Sequence, residues 1–227
     1  MEFFPARIWV VIAAYNEAAV IHRVISDVVR CGYRIVAIDD GSADQTAAAA
    51  CAADCVIRHP INLGQGAALQ TGMDYALAQG ADAIVTFDAD GQHRAADIES
   101  LIRALENARA DFALGSRFLR GPTGLPLSRR WLLKTATLFT QLTTGLHLSD
   151  THNGLRAMTR RGASTIRLRQ NRMAHASEIL SQIAASGLSY VEVPVSIEYS
   201  AYSLAKGQRL SDALIILLDL FARRLYR

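Results

Sequence analysis

Two aspartates one residue apart, Asp88 and Asp90, follow directly on the apolar run Ala83 to Phe87 and are followed in turn by Gln92. Alternate residues leaving a strand point the same way, so the two carboxylates could share one cation, with Gln92 offering a third oxygen. All-oxygen donors suit Mg²⁺ or Mn²⁺, ions that keep waters and engage a substrate's phosphates. A solvated acidic turn has the same spacing, and the motif alone does not separate the two. Three further polar clusters also end apolar runs or follow them closely: Ala14-Tyr15-Asn16-Glu17, Asp39-Asp40-Gly41-Ser42 and Asn62-Leu63-Gly64-Gln65-Gly66. One of Asp39 and Asp40 suffices to cap the following helix, which frees the other for a base or a ribose hydroxyl. Tyr15 and Glu17 read either as a surface aromatic and a helix-start acid or as nucleobase contacts. Gly64-Gln65-Gly66 begins like a dinucleotide fingerprint, but Leu69 stands where its last glycine belongs and the turn follows the third run, not the first. No nicotinamide cofactor is expected.

The elements that must position these clusters alternate. Strands are expected at Ile8 to Ala13, Arg34 to Ile38, Cys55 to Arg58, Ala83 to Phe87 and Phe112 to Gly115. Helices are expected between them, at Ala18 to Val29, Asp44 to Ala52, Gly66 to Gln79 and Ala95 to Ala108. Near-continuous apolar strands joined by helices imply an α/β fold with a mostly parallel, Rossmann-like sheet covered on both faces. Ligands of such sheets bind outside the carboxyl ends of the strands, where the four clusters fall. A Gly- and Pro-rich loop follows, Arg117 to Pro126, then a helix from Arg129 to Leu146 and a strand at Leu155 to Thr159. The chain continues with a helix at Ala174 to Ser186, a strand at Tyr190 to Val193, a short one after Pro194 and a final helix from Leu210.

The composition, 51% hydrophobic and 20% charged, excludes a disordered or collagen-like chain, and 227 residues suit one domain. Charge is unevenly placed: residues 1–111 carry 15 acids against 8 bases, residues 112–227 only 6 against 16. That asymmetry suggests a cation site in the first part and an anion site in the second. The three cysteines, Cys31, Cys51 and Cys55, lack metal-ligand spacing and read as reduced thiols. The N-terminus does not read as a signal peptide, and the run Ala213 to Leu218 is far short of the ~20 residues that span a bilayer. A cytoplasmic protein is expected, with no nucleic acid partner.

Taken in order, the four clusters resemble those of the family 2 inverting glycosyltransferases with a GT-A fold. The segments Gly115-Ser116-Arg117, Asp150-Thr151-His152-Asn153-Gly154-Leu155-Arg156, His175-Ala176-Ser177-Glu178 and Tyr202-Ser203-Leu204-Ala205-Lys206-Gly207-Gln208 are similar to the branch of dolichol- and polyprenol-phosphate sugar transferases. The resemblance spans residues 8–210, with two departures: Ala13 replaces a usual proline, and Leu155 a common aromatic. It implies one domain over 1–227, with a nucleotide-sugar half, 1–116, and an acceptor half, 117–227. Ala14, Tyr15, Glu17, Asp39, Asp40, Gln65, Asp88 and Ala89 would bind the nucleotide, and Asp88, Asp90 and Gln92 the Mg²⁺ or Mn²⁺.

On the acceptor side the resemblance points to Arg117, Arg129, Arg156, His175 and Lys206, with Arg130 extending the basic face. A polyprenol phosphate is already ionised, whereas a glycan hydroxyl needs a general base, for which Asp150 is the first choice. If the acceptor is a phosphate, Asp150 is expected to pair with an arginine instead. Asp90, Arg117 and Asp150 are thus the residues closest to the chemistry. His175 and Glu178 would share one helix face. The final helix would carry Leu210, Leu214, Leu217, Leu218, Phe221 and Leu225 on one face, for core packing, a homodimer or a peripheral contact with the inner face of the cytoplasmic membrane. A non-catalytic nucleotide-sugar binder and an Asp-x-Asp phosphatase are the competing readings. The latter chemistry favours a hydroxyl residue where Gln92 stands.

Overall fold

The computed structural model describes residues 3–119, 135, 137–138, 140–151, 153–170 and 174–198. After a 3-10 turn at Pro5–Arg7 come β1 (Ile8–Ala14), α1 (Ile21–Val29), β2 (Arg34–Asp39), α2 (Thr46–Ala49), β3 (Cys55–Arg58), α3 (Gln65–Ala78), β4 (Ala83–Asp88), α4 (Ala96–Ala108) and β5 (Phe112–Ser116). The chain continues through β6 (Arg156–Thr159), α5 (Arg160–Thr165), α6 (Ala174–Ser186) and β7 (Tyr190–Pro194). Among the described residues the strands form one sheet in the order β3-β2-β1-β4-β6-β5-β7. All neighbours are parallel except β6, which runs antiparallel to both β4 and β5.

The apolar runs are continuous because both faces of the sheet are covered. Val10, Ile12 and Val85 pack beneath α1 and α4 with Ile21, Ile25 and Leu101. Val11, Val36 and Ile84 meet Leu69, Met73 and Ile179 of α3 and α6 on the other side. Each such aliphatic side chain contributes about 1.5–3 kcal/mol when fully buried.

Several boundaries differ from expectation. Helix α1 begins at Ile21, not Ala18, because the residues before it form a turn in which the Val20 and Ile21 amides donate to the Glu17 carbonyl. The expected helix Asp44 to Ala52 contracts to Thr46–Ala49, with the Asp44 carboxylate engaging both the amide and the hydroxyl of Thr46. Helix α5 was not expected; Thr159 caps it, its hydroxyl accepting from the Gly162 amide at 3.0 Å. The described part of the helix expected to reach Leu146 ends at Thr144. Gly145 then takes φ 74°, and its amide reaches back to the Gln141 carbonyl at 2.8 Å. Among the described residues after Pro194, the expected short strand is reduced to an isolated bridge of Ile197 with His93. Arg129, Arg130, Lys206 and the final helix lie outside the described residues. Among the described residues no helix is long and apolar enough to cross a membrane.

Candidate active site

Sheet register brings three of the four clusters into line. Ala14 lies against Asp39 and Ala13 against Asp88, so β1, β2 and β4 deliver their polar ends side by side. The first two loops then brace each other. The Asn16 amide donates to Ser42 Oγ and the Glu17 amide to Thr46 Oγ1, at 2.9 and 2.8 Å, while Asn16 Oδ1 accepts from the Ala43 amide at 2.9 Å. Asn16 sits at φ 55°, a left-handed conformation that asparagine tolerates better than most residues. Tyr15 is left exposed on this rim, and Glu17 is buried beneath it.

The structure separates the two adjacent aspartates. Asp40 is engaged inside the protein: Oδ1 meets His59 Nδ1 at 2.7 Å and the Leu63 amide at 3.0 Å, and Oδ2 accepts the Gly64 amide at 2.7 Å. It thereby holds the loop that leads into α3. Asp39 accepts the Ser42 amide on Oδ1 at 3.0 Å, while its buried Oδ2 lacks a hydrogen-bond donor, although Arg58 Nε lies 3.2 Å away. Asp39 is therefore the one that keeps an oxygen without a hydrogen bond, although ion-paired with Arg58, and it is Asp44 that bonds the amide at the start of α2.

Asp88 is held from several sides. Its Oδ1 accepts from Gln65 Nε2 at 3.3 Å, and its Oδ2 lies 3.0 Å from His93 Nε2. Burial alone would raise its pKa, but the His93 hydrogen bond and the charges of His93, Arg156 and His175 hold it below the ordinary value. Thr86 faces Arg156 across the antiparallel β4–β6 pair, and two further residues along that register Asp88 comes opposite Gly154. A Cβ on Gly154 would sit 2.2 Å from Asp88 Oδ2, so only glycine admits the carboxylate there. Gly154→Ala is expected to cost about 1–3 kcal/mol through overpacking and to displace Asp88. A thermal melt and a Mn²⁺ titration measure the two effects separately.

Asp90 behaves oppositely. Burial, the neighbouring Asp88 and Glu17 raise its pKa, against a hydrogen bond from the Gln92 amide at 3.0 Å and the charge of His93. Carboxylates that repel one another at a strand end fit a cation between them. Among the described residues no three His, Cys, Asp or Glu side chains could enclose a metal by themselves. That donor set suits an ion that takes its remaining ligands from water and a substrate's phosphates.

The second cluster stands at the end of β5. Arg117 donates to Asp150 Oδ2 through Nε at 2.6 Å and through its amide at 3.1 Å, with the aspartate side chain 1% exposed and the arginine 12%. Asp150 is thus paired with an arginine, the arrangement expected of it with a phosphate acceptor. Arg156 is buried on β6; burial lowers its pKa, while Asp88 and Asp150 act to raise it. His175 is buried at the start of α6, where its charge is felt by Asp88. Glu178, one turn further along the same helix, accepts from the Arg169 and Gln170 amides.

His93 and Glu192 escaped the sequence reading. His93 directly follows Gln92 in the acidic cluster, a signal that could have been used. Glu192 holds Ser149 and Asp150 from a strand about 40 residues later, which no local pattern announces.

The family model described as glycosyl transferase family 2 matches residues 9–167. A UDP-N-acetylglucosamine–dolichyl-phosphate N-acetylglucosaminyltransferase of Methanococcus voltae is 31% identical, covering 88% of this chain and 89% of its own. A polyprenol monophosphomannose synthase of Mycolicibacterium smegmatis is 30% identical, over 92% and 84%. Among solved structures, glucosyl-3-phosphoglycerate synthase of Mycobacterium tuberculosis, crystallised with Mn²⁺, UDP-glucose and phosphoglyceric acid, aligns with a TM-score of 0.66 at 19% identity. That alignment covers 88% of this chain and 75% of the other, and establishes the GT-A architecture.

Proposed function

This chain belongs to glycosyl transferase family 2, and on that premise we propose that it moves a sugar from a nucleotide-diphosphate sugar to a polyprenyl phosphate. The observation that carries the acceptor assignment is the Arg117–Asp150 pair. A hydroxyl acceptor needs a general base, but Asp150 already accepts two hydrogen bonds from Arg117 on one oxygen. It serves to orient the guanidinium, whose planar fork suits a phosphate. The phosphate arrives ionised and needs no proton removed. The names of the M. voltae and M. smegmatis relatives, which refer to dolichyl phosphate and polyprenol, support the same acceptor.

On the donor side, Ala14, Tyr15, Glu17, Gln65 and Ala89 line the nucleotide, and Asp39 offers Oδ2, which is ion-paired with Arg58 but accepts no hydrogen bond, to an N–H of the base. Asp40 contributes by holding the Leu63–Gly64 loop. Asp88, Asp90 and Gln92 would hold Mg²⁺ or Mn²⁺, which when bound neutralises charge developing on the leaving diphosphate. Attack comes in line from the opposite face of the sugar and inverts the anomeric centre. Arg156 supplies positive charge close to Asp88 and Asp150, and the family resemblance assigns His175, Arg129 and Lys206 to the acceptor. The apolar periodicity from Leu210, with Arg223, Arg224 and Arg227 nearby, suits the bilayer interface where such an acceptor resides.

The direct test offers isotopically labelled nucleotide sugars with Mn²⁺ to polyprenyl phosphate vesicles and, separately, to free glycans. Label in the lipid fraction is the expected result. Label confined to the glycan would overturn the acceptor, and nucleotide binding without transfer would leave a sugar-nucleotide binder in place of an enzyme acting on lipid.

A further inference from the structure

Glu192 lies on β7 opposite Leu114 of β5, outside the residues that the family model matches. Its carboxylate accepts from the Ser149 amide, 2.8 Å to one oxygen and 2.9 Å to the other, from Ser149 Oγ at 2.9 Å and from the Asp150 amide at 3.3 Å. Two residues earlier on the same strand, Tyr190 Oη accepts from the His147 amide at 3.0 Å. Ser149 Oγ also meets Ser116 Oγ at 2.6 Å, one residue before Arg117. The loop at 147–150 is therefore held to β7 and β5 by hydrogen bonds, and the residue it presents is Asp150, whose carboxylate orients Arg117.

We propose that Glu192 is a positioning residue for the acceptor phosphate, fixing the Ser149–Asp150 turn and through it the Arg117 guanidinium. The proposal rests on the reading that Arg117 receives that phosphate. A carboxylate suits the place because its partners in this turn include two amide N–H groups, which need acceptors, and hydrogen bonds to a charged acceptor are the stronger kind. Glutamine keeps the shape but turns one oxygen into a donor that confronts an N–H. The turn then loosens, and displacements of about 1 Å at a reacting group cost up to about 100-fold in rate.

The test compares Glu192→Gln, Ser149→Ala and Arg117→Lys in the full chain, using a short-chain polyprenyl phosphate as acceptor. Steady-state transfer gives the acceptor KM, and calorimetry gives the Kd of the nucleotide sugar with Mn²⁺. Glu192→Gln is expected to raise the acceptor KM about tenfold, the scale of one lost hydrogen bond to a charged group, with donor Kd unchanged. Ser149→Ala, which leaves the carboxylate in place, should give a smaller shift in the same direction. An unchanged acceptor KM in both variants, or donor Kd weakened by the same factor as KM rises, would overturn the positioning role. If Arg117→Lys leaves acceptor KM unaltered, the acceptor reading itself fails; if Arg117→Lys raises it and the other two do not, only the role of Glu192 fails.

Discussion

Replacing Asp90 with alanine is expected to lower sugar transfer by about 100- to 1,000-fold, the scale on which single groups stabilising transition-state charge act, while the apo protein melts no lower than the parent. The second half of that expectation comes from the sign of the pKa shift. Burial, Asp88 and Glu17 raise the Asp90 pKa above its ordinary value. A carboxyl raised in the folded state favours folding while protonated, at acid pH, and that contribution is lost as the pH rises through the raised pKa. At neutral pH the ionised group therefore works against the fold, and its removal does not.

A divalent ion held by the proposed ligands would reverse this penalty. Mn²⁺ should raise the melting temperature of the parent at neutral pH, by about 2.7 kcal/mol of linkage at 100-fold excess over Kd, and much less in Asp90→Ala. The increment should shrink on acidification, as Asp90 takes up its proton first. Asp88 follows at lower pH, because its pKa is depressed and its ionised form persists further into acid. Melting curves over a pH series with and without Mn²⁺ measure this. An increment as large in Asp90→Ala as in the parent would remove Asp90 from the cation site.

Charge reversal at Arg117 is the second large effect. Arg117→Glu would set a carboxylate against Asp150, a nearly fully buried group that now shares its Oδ2 between two Arg117 donors. Breaking a buried ion pair by removing one partner costs about 3–5 kcal/mol, so the variant should melt well below the parent, and Arg117→Gln somewhat less so. In whichever variant remains folded, acceptor use should fall by about 100-fold, as expected when a bidentate phosphate ligand is lost. The nucleotide-sugar Kd, by contrast, should move little, because the proposed donor residues lie on β1, β2, β4, the loops that follow them and the start of α3. Radiolabel transfer and calorimetry on the same preparation provide both numbers; equal losses in donor and acceptor would sink the division of labour between the two ends of the sheet.

How much of this was legible beforehand depended on where the forces are local. Strands β1, β2 and β4 were readable because a strand buried on both faces must be apolar throughout, and Asp39 and Asp88 were readable because polarity returns where each strand emerges. Helix α6 was matched at both ends by its sequence pattern. Short α2 was not, since an alanine-rich run supports a longer helix than the bracing of Ser42, Asp44 and Thr46 allows. Helix α5 was missed because six residues carry too little periodicity to register.

The sequence by itself determined an α/β sheet with carboxylates at the carboxyl ends of its strands and basic residues in the later part of the chain. Alternation, burial and charge are properties of neighbouring residues, and neighbours are what a sequence displays. Tertiary structure alone decided the partners. Inserting β6 antiparallel between β4 and β5 brought Gly154 against Asp88 and buried Arg156 beneath the site. The fold also engaged Asp40 in the α3 loop, set Asp39 Oδ2 beside Arg58 without a hydrogen bond, and placed Glu192 behind Asp150. Each of these pairs joins residues far apart in the chain, whose distances depend on strand order and register across the whole sheet, quantities that no local run of residues encodes.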